Sequence, residues 1–147
     1  TIERGKKVMA SDYAKALAQL SEYRFKMDKI FSNFDYILSP TVAIPPHKCN
    51  ERPNIINGKI DISTIDDKEM FEENDYDYSS WIFVLAQFTA PFNWSGNPAV
   101  SLPCGFTKNG LPIGLQLAGK KRGELSLIQA SKAFEEIKPW QQNRPRI

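Results

Sequence analysis

Tyr13, Leu17, Leu20, Met27, Phe31 and Phe34 follow one another at steps of three, four or seven residues, the spacing that gathers side chains on one face of a helix. A long amphipathic helix is expected there. Ser11 reads as its N-cap, Asp12 sits at the positive end of the dipole, and Asn33 helps the chain leave the helix. Arg24 interrupts the stripe and reads as a long stem on the core edge with its head in water. Asp35-Tyr36-Ile37-Leu38 then reads as a short strand, ended by Ser39-Pro40-Thr41 because proline lacks the ladder donor.

Pro40, Pro45, Pro46 and Pro53 stiffen the next stretch, and Asn57-Gly58 offers a tight turn for a small hairpin between Ile55-Ile56 and Ile60-Asp61-Ile62. Residues 61 to 77 hold eight acidic side chains against Lys68 alone. They lack the alternation and central glycine of a calcium-binding loop, so a solvated surface is expected rather than a metal site. Residues 47–78 together read as an excursion, proline-containing and then acidic. A second helix, apolar nearly all round and therefore buried, is expected from Ser79 or Ser80 to Ala90, with Pro91 limiting it.

Ala99-Val100-Ser101-Leu102 and Ile113-Gly114-Leu115-Gln116-Leu117 read as strands joined into a hairpin within 99–118, with Asn109-Gly110 as its turn. Glu124 opens a final helix whose Leu127, Ala130, Phe134 and Ile137 share a face, and Pro139 closes it. Helices alternating with strands predict an α/β fold, a sheet covered by helices.

Composition narrows the function classes. The 147 residues, 41% hydrophobic and 24% charged, fit a single globular domain. A net charge of +2 gives no global field to gather nucleic acid or an anionic membrane. The longest strongly apolar stretch, Trp81 to Phe88, is far short of the roughly 20 residues that span a bilayer. Cys49 and Cys104 lie far apart without CxxC spacing, so a reducing compartment is expected. The chain opens on Thr1 rather than Met, which suggests an excised segment.

No complete catalytic set emerges. His47 is the only histidine, which excludes multi-histidine metal sites, and it follows two prolines in a loop. Cys104 follows Pro103 with no charged neighbour to lower its pKa. No GxSxG elbow, P-loop or GxGxxG occurs, and Gly119-Lys120-Lys121-Arg122-Gly123 reads as a solvated basic turn. Ser79-Ser80 is explained as a helix cap. Gly96 and Pro98 shape the turn into a strand, small Ala99 lets backbones pass closely, Gly114 permits the approach of another backbone, and Gln116 is a polar group able to be buried.

The string from Phe88 through Phe92-Asn93-Trp94-Ser95-Gly96-Asn97-Pro98 to Pro103-Cys104-Gly105-Phe106 resembles the carboxyl-terminal region of amidase-signature hydrolases. Asn109-Gly110-Leu111-Pro112-Ile113-Gly114-Leu115-Gln116-Leu117-Ala118-Gly119 is similar to that family's "DGLPVGLQLIG" segment, and Phe34-Asp35-Tyr36-Ile37-Leu38-Ser39-Pro40-Thr41 to its "YDVLLTPT" strand. The three stretches occur in the family's order and cover nearly the whole chain except the acidic excursion.

The resemblance implies the carboxyl-terminal part of a mixed-sheet α/β amidase, with Gly96, Pro98, Pro103, Gly105, Gly110, Gly114 and Gln116 as its structural motif. It also implies a serine nucleophile, a second serine in a cis peptide and a lysine base in a Gly/Ser-rich core that precedes the matched part. No such stretch occurs in this sequence, so no catalytic residue is assigned. Thr89 and Phe92, with Trp94 next, become candidates for the wall of the substrate cleft, and Thr41 to Pro46 for its rim. The expected protein is a cytoplasmic carboxamide hydrolase without a cofactor, its partners a small-molecule amide and the amino-terminal part, with a homodimer open to it. Neither nucleic acid nor a membrane is expected as a partner, and this chain alone is expected to be inactive. Two alternatives stand beside it. One is the amidotransferase A-type subunit, although Phe92-Asn93-Trp94-Ser95-Gly96 departs from its "ANLAG" pattern. The other is a non-catalytic interaction module that uses the apolar face of the long helix.

Overall fold

A computed structural model describes residues 5–48, 51–56, 59–64 and 84–143. In chain order the elements are helix α1 (Ala10–Asn33), strands β1 (Tyr36–Pro40), β2 (Glu51–Ile56) and β3 (Lys59–Thr64), helix α2 (Ala90–Ser95), strands β4 (Ala99–Phe106) and β5 (Pro112–Gly119), and helix α3 (Glu124–Ile137). β1, β5 and β4 form a three-stranded sheet in that order, antiparallel throughout, and β2 and β3 form a separate antiparallel pair. This is the α/β architecture that the alternation of elements predicts, although the described sheet is antiparallel rather than mixed. The expected hairpin at 55–62 is present as β2 and β3, so that part of the excursion has strand structure. Its turn residues 57–58 and the acidic stretch from 65 onward lie outside the described residues.

Side chains on successive strand residues face opposite sides, and this alternation builds three layers. Ala118 and Ile37 face α1 and α2, where Met27, Phe31 and Phe92 pack against them with Tyr23 at the margin. Leu127 of α3 lies over Gly119 on the opposite side, and the Tyr36 hydroxyl donates to the Ser126 carbonyl at 3.0 Å. Lys121 reaches Asp28 and Lys120 reaches Asp35, each at 2.9 Å, so the turn before α3 is tied to α1 and to the start of β1. Asp35 and Asp28 are exposed, and such surface pairs contribute little. The basic turn is exposed, as expected of a solvated turn, and makes these two surface ion pairs.

Three local expectations are corrected. α1 begins one residue before Ser11, with Met9 as N-cap and no side-chain cap bond. The amides of Asp12 and Tyr13 donate instead to the Met9 carbonyl. The expected apolar stripe is buried only at Met27 and Phe31, while Tyr13, Leu17 and Phe34 remain exposed. At 24 residues the helix is about 36 Å long, whereas the eight residues of β5 span about 26 Å, so α1 overruns the sheet it covers. Pro91, expected to limit a helix, starts one: it occupies the first turn of α2, where a missing amide donor removes no intrahelical bond. Residues 84–86 form a helical turn before it, and the earlier part of the expected helix lies outside the described residues.

α2 ends at Gly96, whose φ of +78° is left-handed, and the amides of Gly96 and Asn97 both donate to the Phe92 carbonyl, at 2.9 and 3.2 Å. A Cβ at Gly96 would touch nothing within 4 Å, so substitution acts on the backbone alone. Gly96→Ala is expected to destabilise the protein by about 1–2 kcal/mol and Gly96→Asn by less, because asparagine tolerates this conformation. Urea unfolding midpoints of the two variants check the order. Beyond the turn, the Gly119 amide donates to the Pro98 carbonyl at 2.9 Å and the Asn97 side-chain amide donates to the Gly119 carbonyl at 2.8 Å. Together they clip the start of β4 to the end of β5.

Candidate functional site

The three wall candidates lie on or beside α2, and the structure separates them. Phe92 is 6% exposed and sits in the core beside Met27, Phe31 and Ala118. Trp94, two positions further along the helix and so nearly opposite to Phe92, is 51% exposed. Its ring meets Tyr23 edge-on at 6.3 Å between centroids. Thr89 is half-buried immediately before the helix, its hydroxyl donating to the Ala86 carbonyl at 3.3 Å. Thr89 and Trp94 therefore keep surface to offer a ligand, and Phe92 offers almost none; its position makes it the anchor of the segment.

α1 fixes how that segment sits. The Arg24 Nε–H donates to the Trp94 carbonyl at 3.0 Å, placing a cation at the carboxyl end of α2, where the last carbonyls lack helical donors. Arg24 is exposed, as expected of a head in water, and this hydrogen bond is made at the surface. The Tyr23 hydroxyl lies 3.4 Å from the Pro91 carbonyl, and burial pushes its phenol above the ordinary tyrosine pKa.

A row of polar side chains crosses the same face of the sheet beyond the apolar core. Ser39 of β1, Gln116 of β5 and Ser101 of β4 are directly opposite one another in the register. Gln116 is 4% exposed, and its side-chain amide donates to the Ser39 hydroxyl at 3.0 Å and to the Phe88 carbonyl at 2.7 Å. The hydroxyls of Thr41 and Ser101 bond to each other at 2.6 Å, and the Thr41 amide donates to the Gly114 carbonyl at 3.0 Å. Gly114 makes room for this pair: a Cβ there would lie 2.7 Å from the Thr41 hydroxyl and 3.0 Å from that of Ser101. What approaches Gly114 closely is thus side chain, where the sequence reading expects backbone.

The remaining motif residues shape the hairpin. The register shifts between Pro103 and Gly105, which leaves Cys104 at a bulge, a place where a strand tolerates a proline. The Cys104 thiol lies 3.5 Å from the Ile113 carbonyl. Gly110 adopts φ +79° in the turn, as Asn-Gly predicts, and its amide donates to the Thr107 carbonyl at 2.9 Å. His47 is half-buried in the irregular stretch after β1, and Cys49 lies outside the described residues. Among the described residues, no group of three or more His, Cys, Asp or Glu could hold a metal ion, and no helix is long and apolar enough to cross a membrane.

Helices on a sheet, with motif glycines at the turns and the bulge, match the arrangement that the sequence resemblance implies. The chain belongs to the amidase family, whose model, described as Amidase, matches residues 1–128. It is 32% identical over 135 residues to the A-type subunit of the glutamyl-tRNA(Gln) amidotransferase of Thermodesulfovibrio yellowstonii, covering 92% of this chain and 23% of that protein. It is 31% identical to the protein of the same name from Trichormus variabilis, covering 97% of this chain and 27% of that protein. Among solved structures, a 6-aminohexanoate cyclic dimer hydrolase complexed with substrate superposes with a TM-score of 0.73 at 27% identity, over 99% of this chain and 28% of that one. The chain thus spans about a quarter of the length of the curated relatives it matches.

The sequence reading singles out Gln116 but not the hydroxyls that meet it. The signal is present at period two, as Ser39 and Thr41 in one strand region and Gln116 with the space-giving Gly114 in another. Which strands lie side by side is what turns them into a row.

Proposed function

We propose that this chain is the carboxyl-terminal segment of an enzyme that hydrolyses carboxamide C–N bonds, completing the sheet and one wall of the substrate cleft. The chemistry belongs to a preceding part of the polypeptide. There a serine hydroxyl, deprotonated through the second serine and the lysine, attacks the amide carbon, the amine leaves with a proton, and water releases the acid from the acyl-enzyme. Thr89 and Trp94 form the wall on this chain, Phe92 anchors it from the core, and Thr41 to Pro46 form the rim. The enzyme works in the cytoplasm without a cofactor, on a small-molecule amide, and the chain alone is inactive. The observation that carries this reading is the superposition of 99% of the chain on 28% of a 6-aminohexanoate cyclic dimer hydrolase at a TM-score of 0.73.

The test begins with the coding DNA upstream of Thr1, expected to continue into a lysine and then a Gly/Ser-rich stretch with paired serines. The protein read from that whole frame should hydrolyse simple amides, and residues 1–147 alone should not exceed background. Turnover by the chain alone that survives Cys104→Ala and His47→Ala would overturn this division of roles.

A second reading has its own support in the names of the curated relatives, A-type subunits of glutamyl-tRNA(Gln) amidotransferases with 31–32% identity to this chain. On that reading the same amide cleavage serves to release ammonia for transfer. Stable co-purification of the whole protein with a tRNA-binding partner, and ammonia delivery to a carboxyl acceptor rather than to water, distinguish it.

A further inference from the structure

Gln116 connects the two stretches that flank the proposed cleft. It stands at the middle of the central strand β5, buried to all but 4% of its surface. One hydrogen of its side-chain amide is donated to the Ser39 hydroxyl at 3.0 Å, two residues before the rim begins at Thr41. The other is donated to the Phe88 carbonyl at 2.7 Å, one residue before Thr89 of the wall. Ser39 and Phe88 lie 77 and 28 residues from Gln116 in sequence, and this one side chain joins them. A second tie, Thr41 to Ser101 at 2.6 Å, holds the first rim residue to the far strand β4 across Gly114. A planar amide with two donors at a fixed angle can set a spacing, because both acceptors must lie in its plane at hydrogen-bond distance.

We infer that Gln116 is a positioning residue for amide hydrolysis, setting the gap between the Thr89–Trp94 wall and the Thr41–Pro46 rim and so the size of amide admitted. The inference rests on the hydrolase reading above. Gln116 touches neither substrate nor nucleophile; it acts through the Phe88 carbonyl and the Ser39 hydroxyl. Without its donors the wall loses its tie to the sheet at Phe88, while Thr41 stays held to Gly114 and Ser101. The gap then changes from the wall side, and a bulky amide that needs both loses more than a short one.

The experiment uses the full-length enzyme, with active sites titrated so that only folded molecules are counted, on a short linear amide and a bulky aryl amide. Gln116→Met, similar in length but without donors, is expected to raise KM for the bulky amide about tenfold while kcat on the short amide stays within about threefold. The ratio of kcat/KM between the two substrates shifts with it, a change that mere loss of folded protein does not produce. Ser39→Ala keeps the bond to Phe88 and carries the test if Gln116→Met does not fold, with an expected KM rise of about threefold. Wild-type enzyme that turns over neither amide overturns the hydrolase reading and this inference together. An active wild type whose folded variants keep its KM and its substrate ratio overturns the inference alone.

Discussion

Phe92→Ala is expected to destabilise the protein by roughly 3–5 kcal/mol, and Trp94→Ala by less than about 1.5 kcal/mol. The two aromatics are two residues apart on one short helix and are nearly indistinguishable in sequence. Phe92 is 6% exposed and surrounded by Met27, Phe31 and Ala118, so truncation removes a large apolar group and leaves a cavity at the junction of α1, α2 and the sheet. Trp94 keeps half its surface and loses chiefly an edge contact with Tyr23. Total stabilities are of the order of 5–15 kcal/mol, so the first substitution approaches unfolding while the second leaves the fold intact. Urea unfolding midpoints decide, and equal shifts for the two variants would contradict this division. On the proposed function the order reverses in kinetics: Trp94→Ala raises KM in protein that remains folded.

The second large effect is expected at Gly114. Adding only a methyl group, Gly114→Ala should cost about 1–3 kcal/mol, and the larger Gly114→Val more, through overpacking. The Thr41 hydroxyl, 2.7 Å from the new Cβ, can turn away, but the Thr41 Cβ at 3.1 Å cannot. Thr41 is held by its own amide bond to the Gly114 carbonyl at 3.0 Å, so relief requires backbone movement at the start of the rim. Removing that Cβ with Thr41→Gly should make Gly114→Ala much milder than in the parent protein. The coupling, read from a double-mutant cycle in urea, checks the contact directly; additivity of the two substitutions would show that the clash is elsewhere.

Much of the fold is legible in the sequence because its determinants are local. The hairpin of β4 and β5 follows from alternation and from Asn109-Gly110, whose glycine adopts φ +79°. α3 begins at Glu124 and ends before Pro139 as its periodicity indicates. Pro91 misleads because the same missing donor that breaks a helix interior is harmless in a first turn, and only the position of the first turn distinguishes the two. Ser11 misleads because helical periodicity carries through Ala10 without a side-chain bond to mark the start. The apolar stripe of α1 gives the right face but not its extent, since burial at Tyr13 depends on whether a strand reaches that far.

The sequence by itself determined the long first helix, the strands, the last helix, the turn of the main hairpin and the family, but not the bounds of the short helix Ala90–Ser95. What it determined is written in patterns that repeat over a few residues or in strings matched in order. Tertiary structure decided that β1 pairs with β5 rather than β4, that Phe92 turns inward while Trp94 stays at the surface, and that Ser39, Gln116 and Ser101 form one row. It also decided that the two hydrogens of Gln116 go to groups 77 and 28 residues away. Such pairings have no local signature: a buried amide needs its hydrogen bonds satisfied wherever the packed layers place an acceptor, and that place exists only once the sheet and its helices have come together.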